Sequence, residues 1–379
     1  MKLKKCIILS MGILGAFSLA SCSFFEDMFS IEEIDSESVE PTTTTESDTP
    51  KDTTESSIDI PTETTKEDIT EESTSSTDSD DDEFIMYGYS DLLKYEKKDK
   101  YISFYKDVYN SLNTFYSSNT DLETTHITFS DSTSGYIIDN VNFSKYNLSY
   151  TEAAAIYTTV SLDYPEFYFL AKRLLNGSKG SEQYLLLICS EDYYKASVRQ
   201  DFNQKITTYE NLIKEEIKDC KNDIEKVKKI HDYIINNSSY AFKTDGVTPD
   251  NSTYSHNIIG IMTRGKGVCE SYAKSFQYLL NKNNIECIFV SGTGITDEGP
   301  GLHAWNYVKL NNLWYGFDLT FDDPIDPISG HNSLKHDYFG KVDTDFTSSH
   351  IIDPNNGNMD YGIQYLYNIP TLATSNLVY

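Results

Sequence analysis

Three residues in the second half of the chain, Cys269, His303 and Asp318, have the types that nucleophilic acyl chemistry needs. In that chemistry a thiolate attacks a carbonyl and an imidazole carries the proton. A carboxylate fixes the imidazole tautomer and stabilises its cation. Cys269 follows Gly265-Lys266-Gly267-Val268 and opens a segment whose apolar residues, Ala273, Phe276, Leu279 and Leu280, recur at helical spacing. A helix N-terminus supplies unpaired N–H groups and positive dipole charge, which favour thiolate and offer part of an oxyanion hole. The glycines permit a sharp approach and leave the thiol unobstructed. Taken alone, a cysteine in a helix is more often a small core residue, so the case depends on its partners.

The partners fall on a predicted hairpin. His303–Leu310 and Leu313–Leu319 read as strands separated by Asn311-Asn312, a two-residue turn signal. With that turn Trp305 faces Asp318 and His303 faces Thr320. His303 and Asp318 then leave one face of the sheet as diagonal neighbours, within reach of long side chains. A four-residue loop closed by Leu310 and Leu313 keeps this register. A three-residue loop sends the two to opposite faces, leaving a surface histidine and a loop aspartate.

The remaining pattern predicts helices over 90–125, Tyr150–Leu162 with Ser149 as cap, Lys195 onward, and Ile224–Ile235. Strands are expected over 127–138, after Asp163–Phe169, at Gln183–Cys189 and at Ile288–Ser291, with a Gly-rich loop over 292–301. Helices come first and a small antiparallel sheet later, so the class is α+β.

Three strings make the chain recognisable. Gly265-Lys266-Gly267-Val268-Cys269-Glu270-Ser271-Tyr272, His303-Ala304-Trp305-Asn306-Tyr307-Val308 and Trp314-Tyr315-Gly316-Phe317-Asp318-Leu319-Thr320-Phe321-Asp322-Asp323 resemble the transglutaminase-like superfamily. Ile230-His231-Asp232-Tyr233-Ile234 and His336-Asp337-Tyr338-Phe339 extend the likeness, which is densest over 226–340. It implies a papain-like core, with Cys269 as nucleophile, His303 as general base then acid, and Asp318 as the orienting carboxylate. Ser271 stands where Gly is common and Phe321 where Trp is common; neither is expected to touch the triad. For the oxyanion or the surrounding shell the candidates are Tyr240, Tyr254, His256 and Trp305. Glu270 and Asn306 read as packing or supporting residues. No cofactor is implied.

Composition places this chemistry outside a bacterial cell. Lys2, Lys4 and Lys5 precede an apolar run from Cys6 to Leu19, too short for a confident membrane span. Leu19-Ala20-Ser21-Cys22 then matches a bacterial lipobox, in which Cys22 becomes the lipidated first residue of the mature chain. Residues 31–83 hold 20 acidic residues against Lys51 and Lys66, so most of the net charge of −28 lies there. With so little apolar surface the segment is expected to be disordered. As a coil of roughly 50 residues its reach is about 40 Å. An acidic chain without a basic patch gives no sign of nucleic-acid binding. Four cysteines beyond Cys22 are too few for a disulfide scaffold. The seven histidines do not cluster at metal-ligand spacing, so no metal is expected.

The expected organisation is a lipoprotein signal peptide (1–22) and a disordered acidic linker (23–83), then a mixed helical region (84–222). A transglutaminase-like catalytic core (223–345) and a C-terminal extension (346–379) follow. The expected activity is thioester formation with a protein or peptide carbonyl, resolved by water (protease or amidase) rather than by an amine (cross-linking). Cell-wall peptide is a further candidate substrate. The alternative is a non-catalytic surface module that binds peptide or glycan on the same fold, for which 29 tyrosines would serve. Retention of the whole triad favours the enzyme.

Overall fold

The computed structural model describes residues 31–35, 86–123, 125–129, 133–297, 299–324, 333–353 and 366–377. The leader, Cys22 and most of the acidic segment lie outside the described residues. Within that segment, read from composition as disordered, Ile31–Asp35 forms a strand, β1. Among the described residues no helix is long and apolar enough to cross a membrane.

The first half contains α1 (Tyr87–Leu92), α2 (Lys98–Tyr116), β2 (His126–Thr128), β3 (Ser134–Asn142), α3 (Tyr150–Asp163), β4 (Leu174–Lys179) and β5 (Glu182–Ser190). The five strands form one sheet in the order β1-β4-β5-β3-β2. The α2 helix ends at Tyr116, short of the expected 125. Ser117, Ser118, Asn119 and Asp121 follow, short polar side chains that compete for backbone hydrogen bonds and favour turns over helix. The start of α3 is as expected. The Ser149 hydroxyl accepts the Glu152 N–H while the Glu152 carboxylate accepts the Ser149 N–H, a capping box. Pro165 follows two residues after its end and biases Tyr164 away from helix. Tyr164–Phe169 is therefore a turn, and β4 begins only at Leu174.

The second half contains α4 (Ala196–Ile217), α5 (Asp223–Asn236), β6 (Ser239–Tyr240), α6 (Ile258–Arg264), β7 (Lys266–Gly267), α7 (Cys269–Asn281), β8 (Cys287–Thr296), β9 (Gly299–Leu310), β10 (Leu313–Phe317), α8 (Asp343–Phe346) and β11 (His350–Ile352). Here an antiparallel sheet runs β10-β9-β8-β11. The β9–β10 pairing runs from Leu310↔Leu313 to Asn306↔Phe317, the register derived above. Asn311 and Asn312 both adopt positive φ, 52° and 63°, as a type I′ turn requires.

One expectation is corrected here. Residues 292–296 and 299–301 are not loop; they continue β8 and β9, paired through Gly292↔His303 and Gly294↔Gly301. The glycines serve close approach rather than a turn. A Cβ on Gly292 would stand 2.2 Å from the Ile351 carbonyl oxygen, and one on Gly294 would stand 2.9 Å from the His303 Cβ. Larger residues there would block β11 and push His303 aside.

One apolar core runs from Leu112, Ile156 and Leu187 in the first half to Phe276, Leu279 and Phe317 in the second. Burying each such side chain contributes roughly 1.5–3 kcal/mol. The α7 helix is clamped further by Asn306, whose Nδ2 donates to the Ala273 carbonyl at 2.9 Å and the Ile288 carbonyl at 3.2 Å. Its N-terminus is thereby fixed against the sheet.

Candidate active site

Cys269 is the first residue of α7, after Val268 in extended conformation. It is 4% exposed and packs with Ala273, Phe289, Ala304 and Leu162. Gly267 is needed for this entry, because a Cβ there would meet the Ser271 Cβ at 2.5 Å. The Ser271 hydroxyl turns away from the thiol. It donates to the Asn257 carbonyl at 2.6 Å and accepts the Ile261 N–H at 3.2 Å, joining α7 to the start of α6.

His303, on β9, stands beside both other members of the candidate triad. Its Nε2 meets Asp318 Oδ2 at 2.6 Å, which leaves Nδ1 available to Cys269, a neighbour that also raises the proton affinity of the ring. Asp318 sits just past the end of β10. Its Oδ1 accepts the N–H groups of Thr320 (2.9 Å) and Phe321 (3.1 Å), so the chain's own turn holds the carboxylate. Burial disfavours the imidazolium, but Asp318 outweighs it and lifts His303 to about 10. Burial likewise opposes the charge on Asp318, yet His303 and then His350 keep the carboxyl below its ordinary range. Buried N–H bonds to an ionised carboxylate have this effect.

The motifs beyond the triad explain how the turn is held. Asp322 donates its N–H to the Asp318 carbonyl at 3.1 Å, and its Oδ2 lies 3.2 Å from His231 Nε2 on α5. Asp323 accepts the Tyr272 hydroxyl from α7 at 2.6 Å. Asp232 in turn meets His336 Nε2 at 2.6 Å. The acidic pair after Phe321 therefore ties the Asp318 turn to two helices.

Several expectations about individual residues change. Phe321, expected to lie clear of the triad, stacks on the His303 ring with centroids 4.4 Å apart and planes 19° from parallel. His256 is occupied elsewhere: Nδ1 lies 2.9 Å from Glu270 Oε2 and Nε2 3.1 Å from the Asp250 carbonyl. Tyr254 lies under the Arg264 guanidinium, 3.5 Å from its ring centroid. Trp305 is buried and presents an edge-on contact to the ring of His350 at 4.9 Å. Tyr240 pairs through its backbone with Gly267, two residues before Cys269. Spacing along the chain hid the gathering of histidines. His231, Asp232 and His336, and separately His303, Asp318 and His350, bring donor atoms within 4.8 Å of one another. His350 itself was missed, because no motif marks it and it lies in the segment read as an extension.

Glu270, read as packing, is the centre of an ion cluster. Its buried carboxylate meets Lys274 at 2.6 Å, His256 at 2.9 Å and Lys172 at 3.3 Å. Burial opposes its charge, but Lys172 and Lys274 hold the carboxyl well below the ordinary range. Its stabilising contribution is therefore present above the unfolded value near 4.5 and lost as pH falls through the lower folded one. Glu270→Ala should destabilise the protein by about 3 kcal/mol in urea unfolding. That is the low end for breaking a buried pair, since both lysine side chains are about a quarter exposed and can rehydrate.

Residues 211–319 match the family described as the transglutaminase-like superfamily, so the chain carries a domain of that superfamily. The match begins within α4 and ends one residue after Asp318. No curated protein matches. Among solved structures the chain is similar to a TGase, at 13% identity and TM-score 0.29, covering 43% of this chain and 46% of that one. It is similar also to a candidate cysteine protease from Cytophaga hutchinsonii, at 20% identity and TM-score 0.26, covering 40% and 56%. A third is the periplasmic domain of TgpA from Pseudomonas aeruginosa, at 13% identity and TM-score 0.24, covering 37% and 54%. The chain thus spans about half the length of these structures.

Proposed function

We propose that the transglutaminase-like domain of this chain is a cysteine acyl enzyme acting on protein or peptide at the outer face of a bacterial cell, held there by a lipid on Cys22. The observation that carries this reading is the placing of His303 between Asp318, at 2.6 Å, and the Cys269 thiol. In the first half-reaction the Cys269 sulfur attacks the carbonyl carbon. The proton on His303 passes to the departing nitrogen as the C–N bond breaks, leaving a thioester. In the second, His303 takes a proton from water, the hydroxide attacks, and the C–S bond breaks to give a carboxylic acid and the free thiol. An amine in place of water gives a new amide, a cross-link.

The N–H groups at the start of α7 are suited to the oxyanion. Of the side-chain candidates Tyr240 is the one we keep, because its strand is paired to Gly267 beside the nucleophile. The leader, the lipobox at Cys22 and the acidic spacer support a location outside the membrane. Peptides of the cell wall are among the substrates such a tether would bring within reach. We favour water as acceptor, as the likeness to exported bacterial members suggests.

The test is to incubate the purified protein with a peptide library, with and without an added primary amine, and weigh the products. Fragments that gain the mass of water are expected in both samples. Products heavier by the amine would assign transfer instead of hydrolysis. No change in any peptide would overturn the enzymatic reading.

A further inference from the structure

The carboxylate of Asp318 has a fourth partner, and it does not come from the matched domain. His350, on the short strand β11, places its Nε2 2.9 Å from Asp318 Oδ2, the same oxygen that meets His303. Both histidine rings and the carboxylate are buried. The His350 ring is stacked on Phe346, with centroids 3.9 Å apart and planes 10° from parallel, and is met edge-on by Trp305. Its Nδ1 lies 2.9 Å from the Ser349 hydroxyl.

The contact with Asp318 assigns the hydrogen on Nε2. Asp318 Oδ2 is an acceptor, so Nε2 of His350 carries the hydrogen. The neutral ring then has a lone pair on Nδ1, which can accept from Ser349. Burial outweighs the pull of Asp318 and lowers the affinity of His350 for a second proton, so the ring stays neutral near pH 7. The charged and titratable groups facing it are Asp318 from the turn after β10, His303 from β9 and Tyr338, whose ring centroid is 5.4 Å away.

We infer that His350 is a positioning residue of the active site: its Nε2–H pins Asp318 Oδ2 and limits how tightly that carboxylate holds the proton on His303. This rests on the acyl-enzyme reading above. An Oδ2 with only His303 to satisfy would stabilise the imidazolium more strongly. The second N–H draws on the same oxygen and weakens that hold. His303 must both keep a proton beside the thiolate and release it to a departing nitrogen, so its proton affinity must lie between these demands. His350 sets that affinity from outside the triad. The fold is adapted to bring it there. Gly294, which β11 pairs with His350, and Gly292, which it pairs with Ile352, are the two positions where a side chain would strike His303 or the β11 backbone.

The experiment compares wild type with H350F, which keeps an aromatic ring on Phe346 but has no donor, and with H350Q, which keeps an N–H. The readout is the pH dependence of Cys269 alkylation by iodoacetate, whose negative charge makes the rate fall as His303 loses its proton. The alkaline limb should move up by about one pH unit in H350F, since an N–H bond to a charged group is of that size. It should stay within about 0.3 unit in H350Q. Turnover of H350F should fall several-fold more than that of H350Q. Superimposable limbs in all three proteins, or equal shifts in both variants, would overturn the inference and leave His350 a packing residue. Histidine Cε1–H NMR follows His303 directly, and so decides the matter even if wild-type Cys269 proves unreactive, a result that would sink the acyl-enzyme reading separately. H350M is the second donor-free variant should H350F not fold.

Discussion

Cys269→Ala should abolish turnover while the protein remains folded. The sulfur is the only atom in the proposed site that bonds covalently to substrate, and alanine has nothing to put in its place. Loss of a nucleophile of this kind costs on the order of 10⁴-fold or more in kcat. The structural cost is small. Cys269 packs against Ala273, Phe289, Ala304 and Leu162, and removing one sulfur there should cost only about 1 kcal/mol. Peptide turnover and thermal unfolding of the same preparation check both halves. Turnover within tenfold of wild type would refute the mechanism. A selective comparison is available within the chain, since Cys189 and Cys287 are buried and their thiols are pushed up by burial. Iodoacetamide near neutral pH should label Cys269 well ahead of both.

Asp318→Asn should be nearly as damaging, for a different reason. Oδ1 of an asparagine could still accept the N–H groups of Thr320 and Phe321. Its amide nitrogen would then face Nε2 of both His303 and His350 with hydrogens of its own. His303 can answer only by moving its proton to Nδ1, where it points at the thiol and can no longer accept from it. A wrong tautomer in this position lowers kcat by about 10⁴-fold. The charge is lost as well, so His303 should fall from about 10 toward its ordinary value. The thiolate–imidazolium pair would then vanish as pH rises through that lower value. Steady-state kinetics with the alkylation profile separates this from a folding defect. A variant with normal kcat and an unmoved profile would show that Asp318 is structural only.

Much of this site could be read from the chain because local rules fix it. Asn-Asn has one favoured hairpin geometry, and that geometry alone sets the parity of His303 and Asp318. Ser149 and Glu152 announce the start of α3 in the same way. The misreadings share a cause. Glycine reads as a turn signal at 292–301, whereas Gly292 and Gly294 serve to admit another strand and His303, a tertiary matter that spacing does not report. Phe321, as a departure from the family string, is expected clear of the triad, and the turn after Asp318 folds it back onto His303. His350 stands 32 residues from its partner, in a three-residue strand with no periodicity to show. Glu270 reads from sequence as a packing or supporting residue, since Lys172 and His256, which complete its ion cluster, lie on other segments.

The pairing of β11 with β8 also sets an order of events in biosynthesis. The thiol, the imidazole and the carboxylate all leave the ribosome before His350 does, and the sheet edge at β8 stays open until then. Until β11 docks, Asp318 has three of its four partners, so the site is assembled in two stages, with the triad residues and their turn first and His350 second.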